Sequence, residues 1–169
     1  MNVLLSRTTP LSRRTPFEKF ANHVLDVTRH NQNVNVNINK RSVTVSYGNK
    51  SKNRDYSYVR FIPSADRRGA YLNFGRTGNN RRGRGEGTRL RKYGVNAAIA
   101  AGVPLYQYGV NVDGLLENNS AMPISTVIMR KLGAVSVKKI PGYSATNTKW
   151  ASMVRAHPYK TRTAPSARR

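Results

Sequence analysis

Positive charge is the feature of this sequence that most constrains how the chain can fold. Thirty Lys and Arg residues face only seven Asp and Glu residues, which leaves a formal net charge of +23 on 169 residues. Self-repulsion of this size destabilises a compact state unless a polyanion from outside screens it. The composition therefore predicts nucleic acid as the first partner, with an anionic membrane surface as the second.

The basic residues are distributed unevenly along the chain. Fifteen of them lie in residues 40–92, five precede that stretch and ten follow it. Residues 141–169 contain no acid and few large apolar groups, which is typical of a segment outside a packed core. A chain of this length with 38% apolar residues supports one globular core. We expect a basic N-terminal arm over 1–14, a single domain over 15–140 and a basic C-terminal tail over 141–169.

The composition also excludes several kinds of chemistry. The chain has no cysteine, so disulfides, thiolate zinc sites and cysteine nucleophiles are ruled out. Its three histidines, His23, His30 and His157, are too scattered to indicate a metal site. No apolar run approaches the roughly 18 residues of a membrane span. We therefore expect no metal, no transmembrane segment and a cytoplasmic location.

The first half of the predicted domain reads as one helix followed by strands. Thr15, Pro16 and Glu18 form an N-terminal capping signature for a helix. Apolar residues then alternate over 34–38 and 42–47, which indicates two half-buried strands. Residues 56–62 form a hairpin partner for the second of these, and residues 69–75 a further short strand.

The second half alternates helices and strands. Helical spacing begins at Thr88 and stops at Gly102. A strand over 105–112, a second helix over 123–132 and a last strand over 134–140 follow. This order predicts an α/β fold, with a mixed, largely antiparallel sheet flanked by helices.

A glycine-rich loop lies between the predicted strand and the Thr88 helix. Its glycines, Gly83, Gly85 and Gly87, allow several consecutive amides to point at a phosphate, and the helix N-terminus adds about half a positive charge. The spacing matches neither a Walker loop nor the dinucleotide fingerprint. The alternative is an Arg/Gly-rich surface loop that contacts nucleic acid without order.

The loop also carries a family resemblance, since residues 82–87 resemble the Arg/Gln-x-x-Gly-x-Gly/Ala signature of the GNAT superfamily of N-acetyltransferases. The resemblance extends over 69–140. The strand over 105–112 is similar to the family's fifth strand, and the helix over 122–134 to a family helix with Ser125, Lys131, Leu132 and Gly133 in matching places. The resemblance implies acetyl-CoA as a cofactor, with its pyrophosphate held by Arg82, Gly83, Arg84, Gly85, Glu86, Gly87 and Thr88.

The catalytic residues of the family are missing, however. Met129 stands where members commonly have a tyrosine that acts as general acid, and it has no proton to give. The strand before the loop contains no carboxylate that could act as general base. Glu86 is surrounded by arginines, so an internal salt bridge accounts for it better than catalysis. Tyr71, Tyr106 and Tyr108 are expected to pack rather than to catalyse.

These observations favour an acetyltransferase-fold protein that has lost its catalytic residues and works as a nucleic-acid-associated component. Small divergent members of the family occur among virion proteins of tailed bacteriophages, so packaging in a virion and contact with other proteins of that assembly are part of this hypothesis. The alternatives are an active acetyl-CoA-dependent N-acetyltransferase, acting on a basic protein or a nucleic-acid-linked amine, and a ribosome-associated basic structural protein. The residues predicted to bind nucleic acid are Arg54, Arg60, Arg67, Arg68, Arg81, Arg89, Arg91 and Lys92, together with Arg82 and Arg84 of the loop.

Overall fold

A computed structural model describes residues 10, 13–108, 124–137, 140 and 151–154. This part of the chain forms an α/β fold with three α-helices and one seven-stranded sheet. The helices are α1 (Pro16–Thr28), α2 (Glu86–Ala101) and α3 (Ile124–Lys131). The strands are β1 (Val34–Asn39), β2 (Ser42–Gly48), β3 (Tyr56–Pro63), β4 (Ala70–Arg76), β5 (Leu105–Tyr108), β6 (Val135–Ser136) and β7 (Ala151–Val154).

The sheet is mixed and largely antiparallel, as the sequence predicts. Its strand order is β1-β2-β3-β4-β5-β7-β6. Neighbouring strands are antiparallel except for β4 and β5, which are parallel. A parallel pair needs a crossover connection, and α2 supplies it. The predicted order of strand, glycine loop, helix, strand and helix over 69–140 is therefore present.

Helix α1 begins where its capping residues predict. The Thr15 side chain accepts a hydrogen bond from the Glu18 amide at 3.2 Å, and the Glu18 carboxylate accepts one from the Thr15 amide at 2.7 Å. This reciprocal pair is a capping box. The helix buries Phe20 and Val24 completely in the main core.

The main core lies between one face of the sheet and helices α1 and α2. Val45, Val59 and Phe61 are fully buried on this face. Gly94 brings α2 very close to the sheet, because a Cβ at this position would collide with the ring of Phe61. A second, smaller cluster on the other face includes Tyr106 and Met153.

The predicted C-terminal boundary is wrong. Ala151–Val154 forms β7, which lies between β5 and β6 with all four residues buried. The strand that the sequence predicts over 134–140 is reduced to Val135–Ser136, which pairs with β7. A strand of four residues is too short to show an alternation of apolar and polar residues in the sequence, and the surrounding segment is basic. The rest of the tail and most of the arm over 1–14 lie outside the described residues.

An extra residue interrupts the pairing of β3 with β4. Phe61 lies opposite Leu72, and Arg60 lies opposite Phe74, so Asn73 has no partner on β3. Such a bulge bends a strand and increases its twist. Pairing of β4 with β5 is described from Ala70 with Leu105 to Leu72 with Gln107.

Candidate nucleic-acid interface and glycine loop

The glycine loop follows β4 and leads into α2, at the carboxyl ends of the parallel strands. This edge is where ligands bind in open α/β sheets. The first half of the loop is held in place by neighbouring residues. The Gly78 amide donates to the Ser57 hydroxyl at 3.2 Å, and Asn80 Nδ2 donates to Asp55 Oδ1 at 2.9 Å. The start of the loop is therefore fixed against the turn between β2 and β3.

Glu86 forms the internal salt bridge that the sequence predicts. Arg81 donates from Nε and Nη2 to the two carboxylate oxygens of Glu86, both at 2.7 Å, and Glu86 is only 5% exposed. Burial raises the pKa of Glu86, but the hydrogen bonds from Arg81 and Ser57 outweigh it and hold the pKa below its ordinary value. This carboxylate stabilises the loop, and Arg81 is largely committed to it rather than to a phosphate.

The second half of the loop is open. Gly83 and Gly85 have φ values of 77° and 69°, and a Cβ at either would meet no atom within 4 Å. Gly85 is the N-cap of α2 and offers no capping side chain, and the first helical hydrogen bond runs from the Arg89 amide to the Gly85 carbonyl at 3.0 Å. The preceding amides have no partner within the helix, which suits an anion.

Three exposed arginines belong to or contact this open part of the loop, and a fourth lies at the same end of the sheet. Arg82 and Arg84 belong to the loop itself, and Arg89 Nη2 donates to the Arg84 carbonyl at 2.8 Å. Arg54 lies at the same end of the sheet, since its carbonyl approaches Gly78 so closely that a side chain there would collide with it. We call Arg54, Arg82, Arg84 and Arg89 the loop cluster.

The remaining predicted contacts are spread over other surfaces. Arg67 and Arg68 are exposed in the turn before β4, at the end of that strand away from the loop cluster. A seven-residue strand separates the two ends by roughly 20 Å. Arg60 is exposed on β3 and Lys92 on α2. The predicted residues therefore cover several faces of the molecule instead of one patch.

Arg91 does not belong to any exposed surface, so its prediction as a phosphate contact is wrong. It is 8% exposed and lies between α2 and β4, where Gly75 leaves room for its guanidinium. Its Nη1 donates to the Gly87 carbonyl at 3.0 Å, while its Nε has no partner. Burial lowers the pKa of Arg91 to about 10. The buried side of α2 includes position 91. The spacing of apolar residues in the sequence does not show this, because the residue at that position is charged.

The positions that the family resemblance would make catalytic contain no acid or base in the described residues. Met129 is fully buried in the main core, and β4 has no carboxylate. Tyr71 and Tyr106 belong to the second cluster, and the Tyr106 hydroxyl donates to Asp66 Oδ2 at 3.0 Å. Their predicted packing role is confirmed, and Tyr108 lies partly buried against the same cluster.

One buried polar side chain lies at the last described pair of β4 and β5. Gln107 is 1% exposed, and among the described residues neither its amide oxygen nor its amide nitrogen has a hydrogen-bond partner. Ser152, opposite it on β7, is fully buried and its hydroxyl is also unpartnered. Unsatisfied buried amides are rare, and these two side chains share one register position of the paired strands β5 and β7.

A row of aromatic residues on the face of the sheet opposite the main core was not identified from the sequence. Tyr56 and Tyr58 lie on β3, and Phe74 lies on β4. The period-two spacing of Tyr56, Tyr58 and Arg60 was the signal, since it places all three on one face of a strand. Phe74 lies on this face because of the bulge at Asn73, and no spacing in the sequence predicts that.

Within the part of the chain that the structure describes, no three His, Asp or Glu side chains lie together as metal ligands. No described helix is long and apolar enough to cross a membrane. No protein-family model, curated protein or solved structure matches the chain. A function for this protein therefore has to be inferred from its own residues.

Proposed function

We propose that this chain is a nucleic-acid-binding protein with an acetyltransferase-like fold, and that it works as a component of a nucleic-acid-containing assembly such as a phage virion. One observation carries the proposal. Of the fifteen Lys and Arg residues in 40–92, thirteen are exposed, and the only ion pair that any of the fifteen makes with another described residue is Arg81 with Glu86.

The carboxylates of the same stretch are already engaged elsewhere. Glu86 is bound by Arg81, and Asp55 accepts from Asn80. Asp66 accepts from the Ser64 hydroxyl at 2.6 Å, the Arg68 amide at 3.0 Å and the Tyr106 hydroxyl at 3.0 Å. Within 40–92, three carboxylates are thus set against thirteen exposed cations, which leaves a surplus of positive charge that a polyanionic partner would neutralise.

The distribution of these cations favours a polymer over a small anion. They lie on the connections between β1 and β2 and between β2 and β3, on the turn before β4, on the glycine loop, on helix α2 and on the face of the sheet opposite the main core. Nucleic acid presents a charge every few ångströms along its length and can reach several such surfaces at once. Contacts to phosphate carry no sequence information, so we expect binding with little sequence preference.

Salt dependence tests this proposal. Fluorescence anisotropy with a labelled oligonucleotide should show affinity falling by about 10³ to 10⁵ between about 50 and 200 mM salt if six to ten phosphates are contacted. Replacing the loop cluster by alanine should reduce the slope of log affinity against log salt by about three to four. Arg13→Ala with Arg29→Ala, two exposed arginines outside 40–92, is the matched control and should change the slope less. Affinity that stays constant with salt would overturn the proposal.

The open loop favours a second candidate, which is binding of acetyl-CoA. The amides of residues 83–88 and the guanidinium groups of Arg82 and Arg84 would hold the pyrophosphate. Bound acetyl-CoA would supply an activated thioester. We expect transfer to be slow or absent, because Met129 is buried in the core and β4 carries no carboxylate base.

Two glycines of nearly equal conformation provide a matched test. Gly85 and Gly102 have φ values of 69° and 67°, and a Cβ at either meets nothing within 4 Å. Alanine at each should therefore cost a similar roughly 1–2 kcal/mol of stability. In calorimetric titration of acetyl-CoA into nucleic-acid-free protein, only Gly85→Ala should weaken binding. No detectable heat with the parent protein would reject the cofactor, and turnover of several per second would reject the loss of catalysis.

A further inference from the structure

One half of the sheet has a face that no described helix covers. Side chains alternate between the two faces of a strand. Val45, Val59 and Phe61 point into the main core with α1 and α2, so Tyr58 and Arg60 point the other way. On β1 the outward positions are three exposed asparagines. We call the outward side of β1 to β4, apart from Ile62 and Tyr71 which pack in the second cluster, the open face.

Three aromatic rings form a continuous row across the open face. The rings of Tyr56 and Tyr58 are stacked with centroids 5.1 Å apart, and the rings of Tyr58 and Phe74 are stacked 5.7 Å apart. Phe74 is 39% exposed, and both tyrosines are only partly buried. The row therefore exposes aromatic surface to solvent on two neighbouring strands.

The bulge on β4 completes this row. Strict alternation from Tyr71 would place Asn73 and Gly75 on the open face. Because Asn73 is the unpaired residue, Phe74 and Arg76 take those places instead, and Gly75 faces Val59 and the core. Phe74 then lies opposite Arg60, and Arg76 lies opposite Tyr58.

The charge of the open face favours an anionic partner. Strands β1 to β4 contain no Asp or Glu, and both Arg60 and Arg76 are exposed on the open face beside the rings. Aromatic rings with adjacent arginines provide both elements of single-strand recognition, since bases stack on the rings while guanidinium groups contact phosphates. A duplex keeps its bases stacked inside and cannot use the rings.

We propose that the open face binds a single strand of nucleic acid, with bases stacked on the row formed by Tyr56, Tyr58 and Phe74 and with phosphates held by Arg60 and Arg76. This proposal rests on the proposed nucleic-acid binding and adds to it the form of the ligand and the site. It assigns base contacts to the open face and leaves the loop cluster to phosphates.

Comparing a normal strand with an abasic strand distinguishes the contribution of base stacking from that of charge attraction. The full-length protein is titrated, at one salt concentration, with a labelled oligothymidylate and with an abasic strand of the same length and phosphate number. We expect the oligothymidylate to bind about fivefold to a hundredfold more tightly for each stacked base. Phe74→Leu together with Tyr58→Leu should remove most of this difference and leave binding of the abasic strand nearly unchanged.

Two controls belong to this titration. Tyr58→Phe keeps the ring and should preserve the preference for oligothymidylate. Ile99→Ala changes an exposed apolar side chain of α2, on the other side of the molecule, and should also preserve it. Equal affinity of the parent protein for both strands, with steep salt dependence, would overturn the stacking site while the proposed function stands. Absence of binding to either strand would overturn both.

A second variant keeps the test independent of any loss of folding. Phe74→Trp retains an aromatic ring at the exposed end of the row and adds a fluorophore. Its emission, compared with that of the parent protein, should be quenched by oligothymidylate and unaffected by the abasic strand. Equal emission changes with both strands, or none with either when both bind, would contradict stacking at this position.

Discussion

Two charged side chains near the start of α2 are buried, and they differ in how their charge is compensated. Glu86 receives two hydrogen bonds from the Arg81 guanidinium. Arg91 donates to the Gly87 carbonyl, but among the described residues its Nε has no partner and no ion pair compensates its charge. A buried charge stabilises a fold only when it is paired and hydrogen-bonded. Glu86 is therefore expected to stabilise the domain and Arg91 to cost it stability.

Glu86→Gln should lower the free energy of unfolding near neutral pH by about 1–3 kcal/mol, the usual value of hydrogen bonds to a charged group. The pKa of Glu86 is lower in the folded protein than its ordinary value of 4.5, so its contribution is complete above that pH and is lost as the pH falls through the folded-state pKa. Urea unfolding of parent and variant should therefore converge in acid. A difference that is constant from neutral to acid pH would contradict this. Glu18→Gln, which preserves the capping box, is the control.

Arg91→Met removes the uncompensated guanidinium and keeps a long, flexible side chain in the same space. We expect the free energy of unfolding to stay unchanged or to rise by about 1–3 kcal/mol, as found when buried charges are replaced by apolar residues of similar size. Affinity for nucleic acid should change less than twofold. A tenfold loss of affinity in the anisotropy titration would show that Arg91 reaches the ligand.

Helix α2 is the element that connects the core to the candidate site. Its first turn borders the glycine loop, and its middle packs on α1 and on the sheet. Two glycines allow this close packing, since a side chain at Gly94 would strike Phe61 and one at Gly75 on β4 would strike Arg91. The position of the loop cluster therefore depends on the distance between α2 and β3.

Gly94→Ala tests this dependence. Phe61 is fully buried and rigid, so the added methyl group should cost about 1–3 kcal/mol of stability despite the better helix propensity of alanine. Urea unfolding measures the loss. Asn96→Ala, at an exposed position of the same helix, should be neutral or slightly stabilising. Equal effects of the two substitutions would show that α2 does not pack closely on Phe61.

At the scale of the whole molecule, a strongly cationic surface surrounds a small neutral core. The net charge of +23 works against compactness, and the core is closed only when a segment from the basic C-terminal part is included. Strand β7 supplies that segment, and it bonds to β5 on one side and β6 on the other.

Deleting residues 141–169 should therefore abolish cooperative thermal unfolding. The deletion removes β7, exposes β5 and takes away the buried Ala151, Met153 and Val154. Circular dichroism during heating measures the transition. A preserved transition would restore the tail boundary that the sequence indicates and would contradict the placement of β7 in the sheet.

Local signals in the sequence were sufficient for much of this fold. The Thr15 cap, the alternation in β1 and β2 and the Gly102 terminus of α2 each involve residues within a few positions of one another. The glycine loop and an internal salt bridge of Glu86 were predictable for the same reason, although the sequence did not single out Arg81 as the partner. The surplus of cations, which directs attention to nucleic acid, is a property of composition alone.

Tertiary structure decided the rest, because those features depend on contacts between distant segments. Burial of Arg91 requires Gly75 of another element to leave space for it. The aromatic row requires β3 and β4 to pair in a register that leaves Asn73 without a partner. Strand β7 is held in the sheet by pairing with strands that precede it in the sequence. Strand pairing is selected by packing against neighbours rather than by intrinsic preference, so no local pattern in the sequence could specify it.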